Sequence, residues 1–138
     1  MFLRLPLTLV VFFALIGCGY VSDAKIDGPY RVIAVDDPAM KTLCRRMDGG
    51  GGCVGLVDHA VVAVGFDQTY LAAARLPFDD FAPFDGKPDN PEQPIQYFYV
   101  VRSSAGSTQD VVKGPFDEAA YKVERDRLNL PRLMPIPE

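Results

Sequence analysis

His59 is the single histidine of this 138-residue chain, so any acid–base step would have to run through it. Asp58 stands directly before it, the kind of neighbour that orients an imidazole in a hydrolase. The residues that follow, HAVVAV, read as strand. On a strand adjacent side chains leave by opposite faces, which places Asp58 badly for that task. No serine stands in a G-x-S-x-G elbow. Ser103, Ser104 and Ser107 fall together in a polar turn. The chain therefore reads as a non-enzyme, with no catalytic residue assigned.

Two other stretches carry residues that do chemistry elsewhere. Residues 48–53, DGGGGC, suggest a phosphate cradle, but no Lys-Ser/Thr and no helix follow them. They read as the tip of a hairpin. Residues 76–94 form a long loop with five prolines and five acids, Asp79, Asp80, Asp85, Asp89 and Glu92. Carboxylates are calcium ligands, but these lack the order of an EF-hand. No metal and no cofactor is expected. The same loop places Phe78, Phe81 and Phe84 three residues apart. Either it is a solvated acidic segment, or its aromatics meet the core or a partner. Phe78, Asp79, Asp80, Phe81, Phe84 and Asp85 are the candidate partner-binding residues, because long loops so often carry function.

The N-terminus is a targeting segment. Arg4 is its one charge, and the uncharged run 5–17 is shorter than the ~20 residues a spanning helix needs. It has the length of a secretory signal. Its end, Leu15-Ile16-Gly17-Cys18, resembles the lipobox of bacterial lipoproteins. That resemblance implies a signal peptide over 1–17, removed before Cys18, and acyl chains (palmitate among them) on Cys18. Two or more chains anchor stably where one binds marginally. The competing reading is an uncleaved signal anchor with a free Cys18. The lipoprotein reading puts the chain in the cell envelope. Gly19, where an aspartate often retains such proteins at the inner membrane, leans towards the outer membrane, facing the periplasm.

With Cys18 given to lipid, Cys44 and Cys53 remain, and in an oxidising compartment they are expected to form a disulfide. Zinc needs four ligands, and two thiols with one histidine do not supply them. The chain has 14 Lys+Arg against 18 Asp+Glu. That balance argues against nucleic acid and against a polybasic membrane surface. It suits a basic protein partner.

These parts need elements to position them. Residues 18–28 read as a lipid-anchored tether and 29–138 as a single domain, enough chain for one core. PYRVIAV ends at a DDP turn. MKTLCRRMDGGGGCVGLV reads as a hairpin with Cys44 and Cys53 across its neck, and HAVVAVGFDQTYLAAARL as a second hairpin. IQYFYVVR has Ile95, Tyr97, Tyr99 and Val101 on one face and Phe98 and Val100 on the other, so it reads as a central strand covered on both sides. VVKG is a short strand. Residues 115–131 read as the one helix, with Asp117 as N-cap, Glu118 and Lys122 as an i,i+4 pair and Pro131 as its stop. Its narrow apolar face is Ala120, Tyr121 and Leu128. The fold class is α+β: an antiparallel sheet of five or six strands with one C-terminal helix.

Together DGPYRVIAVD, GGCVGLVDHAVVAVGFDQTYLAAARLP, QYFYVVR and VVKGPFDEAAYKVERDRLNLP resemble a family of small bacterial lipoproteins of unknown function. The resemblance implies fold and location and transfers no activity. A lipid-anchored envelope protein acting by protein binding is the expected function, an immunity-type inhibitor of a toxin or enzyme its concrete form. A structural or accessory lipoprotein of an envelope assembly is the alternative.

Overall fold

A computed structural model of the protein describes residues 19–49, 51–77, 94–103 and 109–137. It shows mainly antiparallel sheet with one C-terminal helix, as expected, but with nine strands in two sheets rather than five or six in one. The first sheet runs β1 (Ser22–Asp27), β2 (Tyr30–Ala34), β3 (Thr42–Arg46) and β4 (Cys53–Val57), in chain order. The chain then supplies β5 (Val61–Phe66), β6 (Tyr70–Arg75), β7 (Gln96–Val101), β8 (Val111–Phe116), α1 (Glu118–Leu128) and β9 (Met134–Pro135). The second sheet is ordered β8-β7-β6-β5-β9.

The apolar patterns dictate three layers. Tyr30, Val32, Leu43 and Val57 from the first sheet meet Val61, Val64, Leu71, Ala73, Phe98 and Val100 from the second in one buried core. The opposite face of the second sheet carries Ala72 and Tyr99, which pack with Tyr121 and Leu130 under the helix. β7 lies between β6 and β8 and feeds both cores, the two-sided burial its alternation demands. Tyr121 is the buried residue of α1 and stacks on Tyr97 at 4.8 Å. The Asp117 carboxylate accepts from the Ala120 N–H at 2.7 Å, and Asn129 closes the helix in the left-handed conformation. The ion pairs found along the helix are Glu124–Arg127 at 2.6 Å and Arg125–Asp126 at 3.2 Å, in place of the expected Glu118–Lys122.

Two local expectations are corrected. The tether expected over 18–28 is largely strand, because Ser22–Asp27 is β1. It is an edge strand with only Ala24 buried, opposite Val32, so its sequence looks as polar as a linker. β8 runs past VVKG through Pro115 to Phe116. Proline is tolerated there because β8 is an edge and no further strand needs its missing N–H. At the opposite edge, β9 pairs with the middle of β5, and the Arg132 backbone lies where a side chain at Gly65 would stand.

The hairpin of β3 and β4 is stapled as expected. Cys44 and Cys53 are bridged with a Cα–Cα distance of 5.6 Å, inside the usual range. Because the bridge closes a loop of sequence separation 9, about 2.5 kcal/mol is assigned to it on the loop-entropy account.

At one end the two sheets are joined by polar groups. The Tyr30 hydroxyl of β2 donates to Asp110 Oδ1 at 2.6 Å, and the Ser103 N–H donates to the same oxygen at 2.8 Å. Arg45 of β3 donates to Asp110 Oδ2 at 3.2 Å and to the Ser103 hydroxyl. The guanidinium groups of Arg45 and Arg102 lie 5.6 and 4.8 Å from the Tyr30 ring centre. Arg102 also pairs with Asp27 of β1 at 2.7 Å. The Asp110 side chain is only 2% exposed. Burial alone would raise its pKa, but the hydrogen bonds from Tyr30, the Ser103 amide and Arg45 outweigh it and hold the carboxyl below its ordinary value. Tyr30 is pushed up, by burial first and by its bond to Asp110 second.

Two outcomes are expected. A depressed carboxyl contributes stability above its unfolded pKa, near 4, and loses it as pH falls through the folded value. Asp110→Asn should thus cost about 2 kcal/mol at pH 7, with the difference from wild type shrinking below pH 4. Urea unfolding across pH 2–7 measures this, and a pH-independent difference would contradict the ionised clasp. Replacing both Cys44 and Cys53 by alanine should lower stability by roughly 2–3 kcal/mol, and reducing the wild type should reproduce much of that loss.

Candidate functional site

After Val57 the chain leaves the first sheet and enters the second through Asp58, His59 and Ala60. His59 and Ala60 both have positive φ, 60° and 52°, which non-glycine residues adopt only when neighbours fix them. Here the neighbours do. The His59 N–H donates to the Thr42 hydroxyl at 3.5 Å and the Val61 N–H to the Lys41 carbonyl at 3.0 Å. The Leu76 N–H donates to the Ala60 carbonyl at 3.0 Å, and Arg75 donates to the Asp58 carbonyl at 2.6 Å. Residues 58–60 are therefore a crossing between sheets and not strand, a correction to the reading of HAVVAV. Strand alternation therefore does not separate Asp58 from His59, and both residues border one cleft.

That cleft lies on the outer face of the first sheet. Tyr30 and Val32 of β2 face the core, so Ile33, and Val35 just beyond the strand, turn outward. With Met40, Thr42 and the Cys44–Cys53 bridge they floor a space of about 380 Å³. Asp36, Asp37, Asp58 and His59 stand around it, and among the described residues no lysine or arginine lines it. The DDP turn carries two of the carboxylates. Asp37 Oδ1 accepts from the Ala39 N–H at 2.8 Å, which fixes the turn.

Gly55 of β4 is what lets the third carboxylate enter. A Cβ on Gly55 would stand 2.5 Å from Asp58 Oδ1, so the side chain of Asp58 lies against bare backbone. Among the described residues none of the three carboxylates has a cationic partner. Two nearby cations are engaged by other groups, while Arg31, paired with Asp23, and Arg46 border the adjoining space past Ile33 and Cys53. Arg75 holds the Asp58 carbonyl and the Gln96 side chain, and Lys41 donates to the Pro38 carbonyl at 2.7 Å.

The other predicted positions fall as follows. Cys44 and Cys53 form the bridge and wall the cleft. Cys18, Phe78, Asp79, Asp80, Phe81, Phe84, Asp85, Asp89, Glu92, Ser104 and Ser107 lie outside the described residues. Ser103 is in the polar clasp, where its hydroxyl accepts from Arg45, a group that cannot serve as a base. Asp36 and Asp37 were legible only as turn residues. Two adjacent acids beside the exposed Val35 were the available signal, and it is a weak one. No group of three or more His, Cys, Asp or Glu among the described residues is arranged to hold a metal ion. No helix among them is long and apolar enough to cross a membrane.

The chain matches no protein-family model, no curated protein and no solved structure.

The role given to Gly55 has a direct check. Gly55→Ala should displace the Asp58 carboxylate while changing unfolding free energy by less than about 1 kcal/mol, since a side chain and not backbone must yield. Side-chain carboxyl NMR of Asp58 measures the displacement. An unmoved Asp58 signal in a folded variant would refute it.

Proposed function

We propose that this protein is a lipid-anchored, non-enzymatic component of the bacterial envelope that acts by binding another protein, most concretely as an immunity-type inhibitor. The observation that carries the reading is the outer face of the first sheet. A floor of apolar side chains lies open there, backed by a disulfide and edged by carboxylates without cations among the described residues. Such a surface is concave, preformed and amphipathic, the properties of a recognition site. The disulfide suits an exported protein, and the resemblance of Leu15-Ile16-Gly17-Cys18 to a lipobox supplies the anchor. An acidic chain is suited to a basic partner, and nucleic acid is not among the partners proposed.

The accessory reading has one observation in its favour. With lipid on Cys18, only Gly19, Tyr20 and Val21 precede β1, which holds the domain against the membrane where a standing assembly component would sit.

In-cell photocrosslinking tests the binding reading. A photoreactive residue is placed at Val35 beside the cleft, at Val123 on the exposed side of the helix, or at Phe81 of the acidic stretch 79–92. One dominant protein adduct from Val35 and none from Val123 is the expected result. Adducts from every position would favour the accessory role, and none from Val35 or Phe81 would sink protein binding.

A further inference from the structure

We propose that the cleft on the outer face of the first sheet receives a single arginine side chain of the partner protein, an assignment that rests on the binding reading above. An arginine is a long apolar stem ending in a planar cation, and the lining of the cleft has a counterpart for each part. Its floor of Ile33, Val35, Met40 and the Cys44–Cys53 bridge matches methylene groups. Its carboxylates, Asp36, Asp37 and Asp58, match the guanidinium, whose forked donors engage both oxygens of a carboxylate.

The charge balance argues for a cation from outside. Three carboxylates border one concave space with no lysine or arginine in its lining among the described residues. Two basic groups close at hand are held by carbonyl oxygens, Arg75 by Asp58 and Lys41 by Pro38, while Arg31 and Arg46 border the adjoining space past Ile33 and Cys53. A cleft lined by one sign of charge over a low-dielectric floor focuses its field on whatever enters. Gly55 matters because it leaves room for the Asp58 carboxylate at the sheet face. The pinned crossing at His59 and Ala60 fixes the backbone that carries that carboxylate before anything binds, and preorganisation lowers the cost of association.

A second groove provides a built-in contrast. Along the β1 and β9 edges, Lys25 and Arg132 border a space of about 290 Å³ over Val64, Phe66 and Met134. It is apolar like the cleft, but its charge is of the opposite sign. A cationic ligand recognised by charge should choose the first and leave the second untouched.

The test uses the full chain, isotope-labelled and held in zwitterionic detergent micelles. The probes are the blocked tripeptide Ala-Arg-Ala and its citrulline counterpart, which keeps the shape and loses the charge. Saturable NMR shifts are expected at Ile33, Asp36, Met40, Gly55 and Asp58 with the arginine peptide only, and none at Lys25, Phe66 or Met134. Asp58→Asn should weaken binding about tenfold, the scale of one charge-assisted hydrogen bond. The double variant Asp36→Asn/Asp37→Asn should do the same, and it remains informative if the crossing tolerates no change at Asp58. Added salt should weaken binding further. Equal shifts with citrulline, or full affinity in both variants, would overturn the assignment. A protein adduct from Val35 without arginine-peptide binding would leave the binding reading standing and remove the arginine from it. Peptide binding with no adduct anywhere would do the reverse.

Discussion

The Tyr30 hydroxyl donates to a carboxylate that is almost wholly out of solvent, and the meeting of the two sheets depends on this contact. Tyr30 belongs to the first sheet and Asp110 introduces the last long strand of the second, eighty positions along the chain. Hydrophobic burial between the sheets is large but has no preferred direction. Sheets joined by apolar contacts alone could slide or rotate with little penalty. The bonds from Tyr30, Ser103 and Arg45 converge on one aspartate and have fixed lengths and angles, so they choose one registration among many. Arg102, close to the same ring and paired with Asp27, extends this control to the β1 edge. A buried carboxylate is tolerable only with its partners in place, which makes the registration costly to lose.

The cleft inherits its shape from that registration. Its floor belongs to the first sheet, while one rim is the crossing that leads into the second. The crossing is tied to β6 and its end through Arg75 and Leu76, and to the start of β3 through Thr42. Movement of one sheet over the other would carry Asp58 away from Asp36 and Asp37. The clasp and the cleft are different groups of residues built on the same first sheet. The proposed binding of an arginine draws on this stiffness, because the backbone that carries the three carboxylates is set before anything arrives.

How much of this could be read from the residues follows from how local each cause is. β7 was legible because alternation of tyrosines with Phe98 and Val100 is a local pattern with a single interpretation. The helix was legible from its cap, Asp117, and its stop, and the hairpin from its cysteines. β1 was not, because an edge strand with one buried alanine has the composition of a linker. The division into two sheets was hidden for another reason. It is set by two left-handed residues, His59 and Ala60, where neither glycine nor asparagine announces a turn. They are held in that conformation by Thr42, Lys41, Arg75 and Leu76, so the signal is tertiary and absent from any window of sequence. Missing the crossing also hid the cleft, since Asp58 reads as a rim residue only after the chain is known to turn there.

The five-stranded sheet ends in a proline-bearing strand on each side, Pro115 in β8 and Pro135 in β9. A proline has no N–H to offer, so neither margin can template a further strand along its full length. Beyond Pro135, the Arg132 backbone covers Gly65 and occupies more of the same border. In the smaller sheet β1 has no proline but carries Asp23, Lys25 and Asp27 with a bulge between Lys25 and Asp27, which blunt an edge by charge and by twist. β4, Cys53–Val57, has neither a proline nor a charged side chain. At high local density, β4 is the border through which chains of this kind would most readily meet.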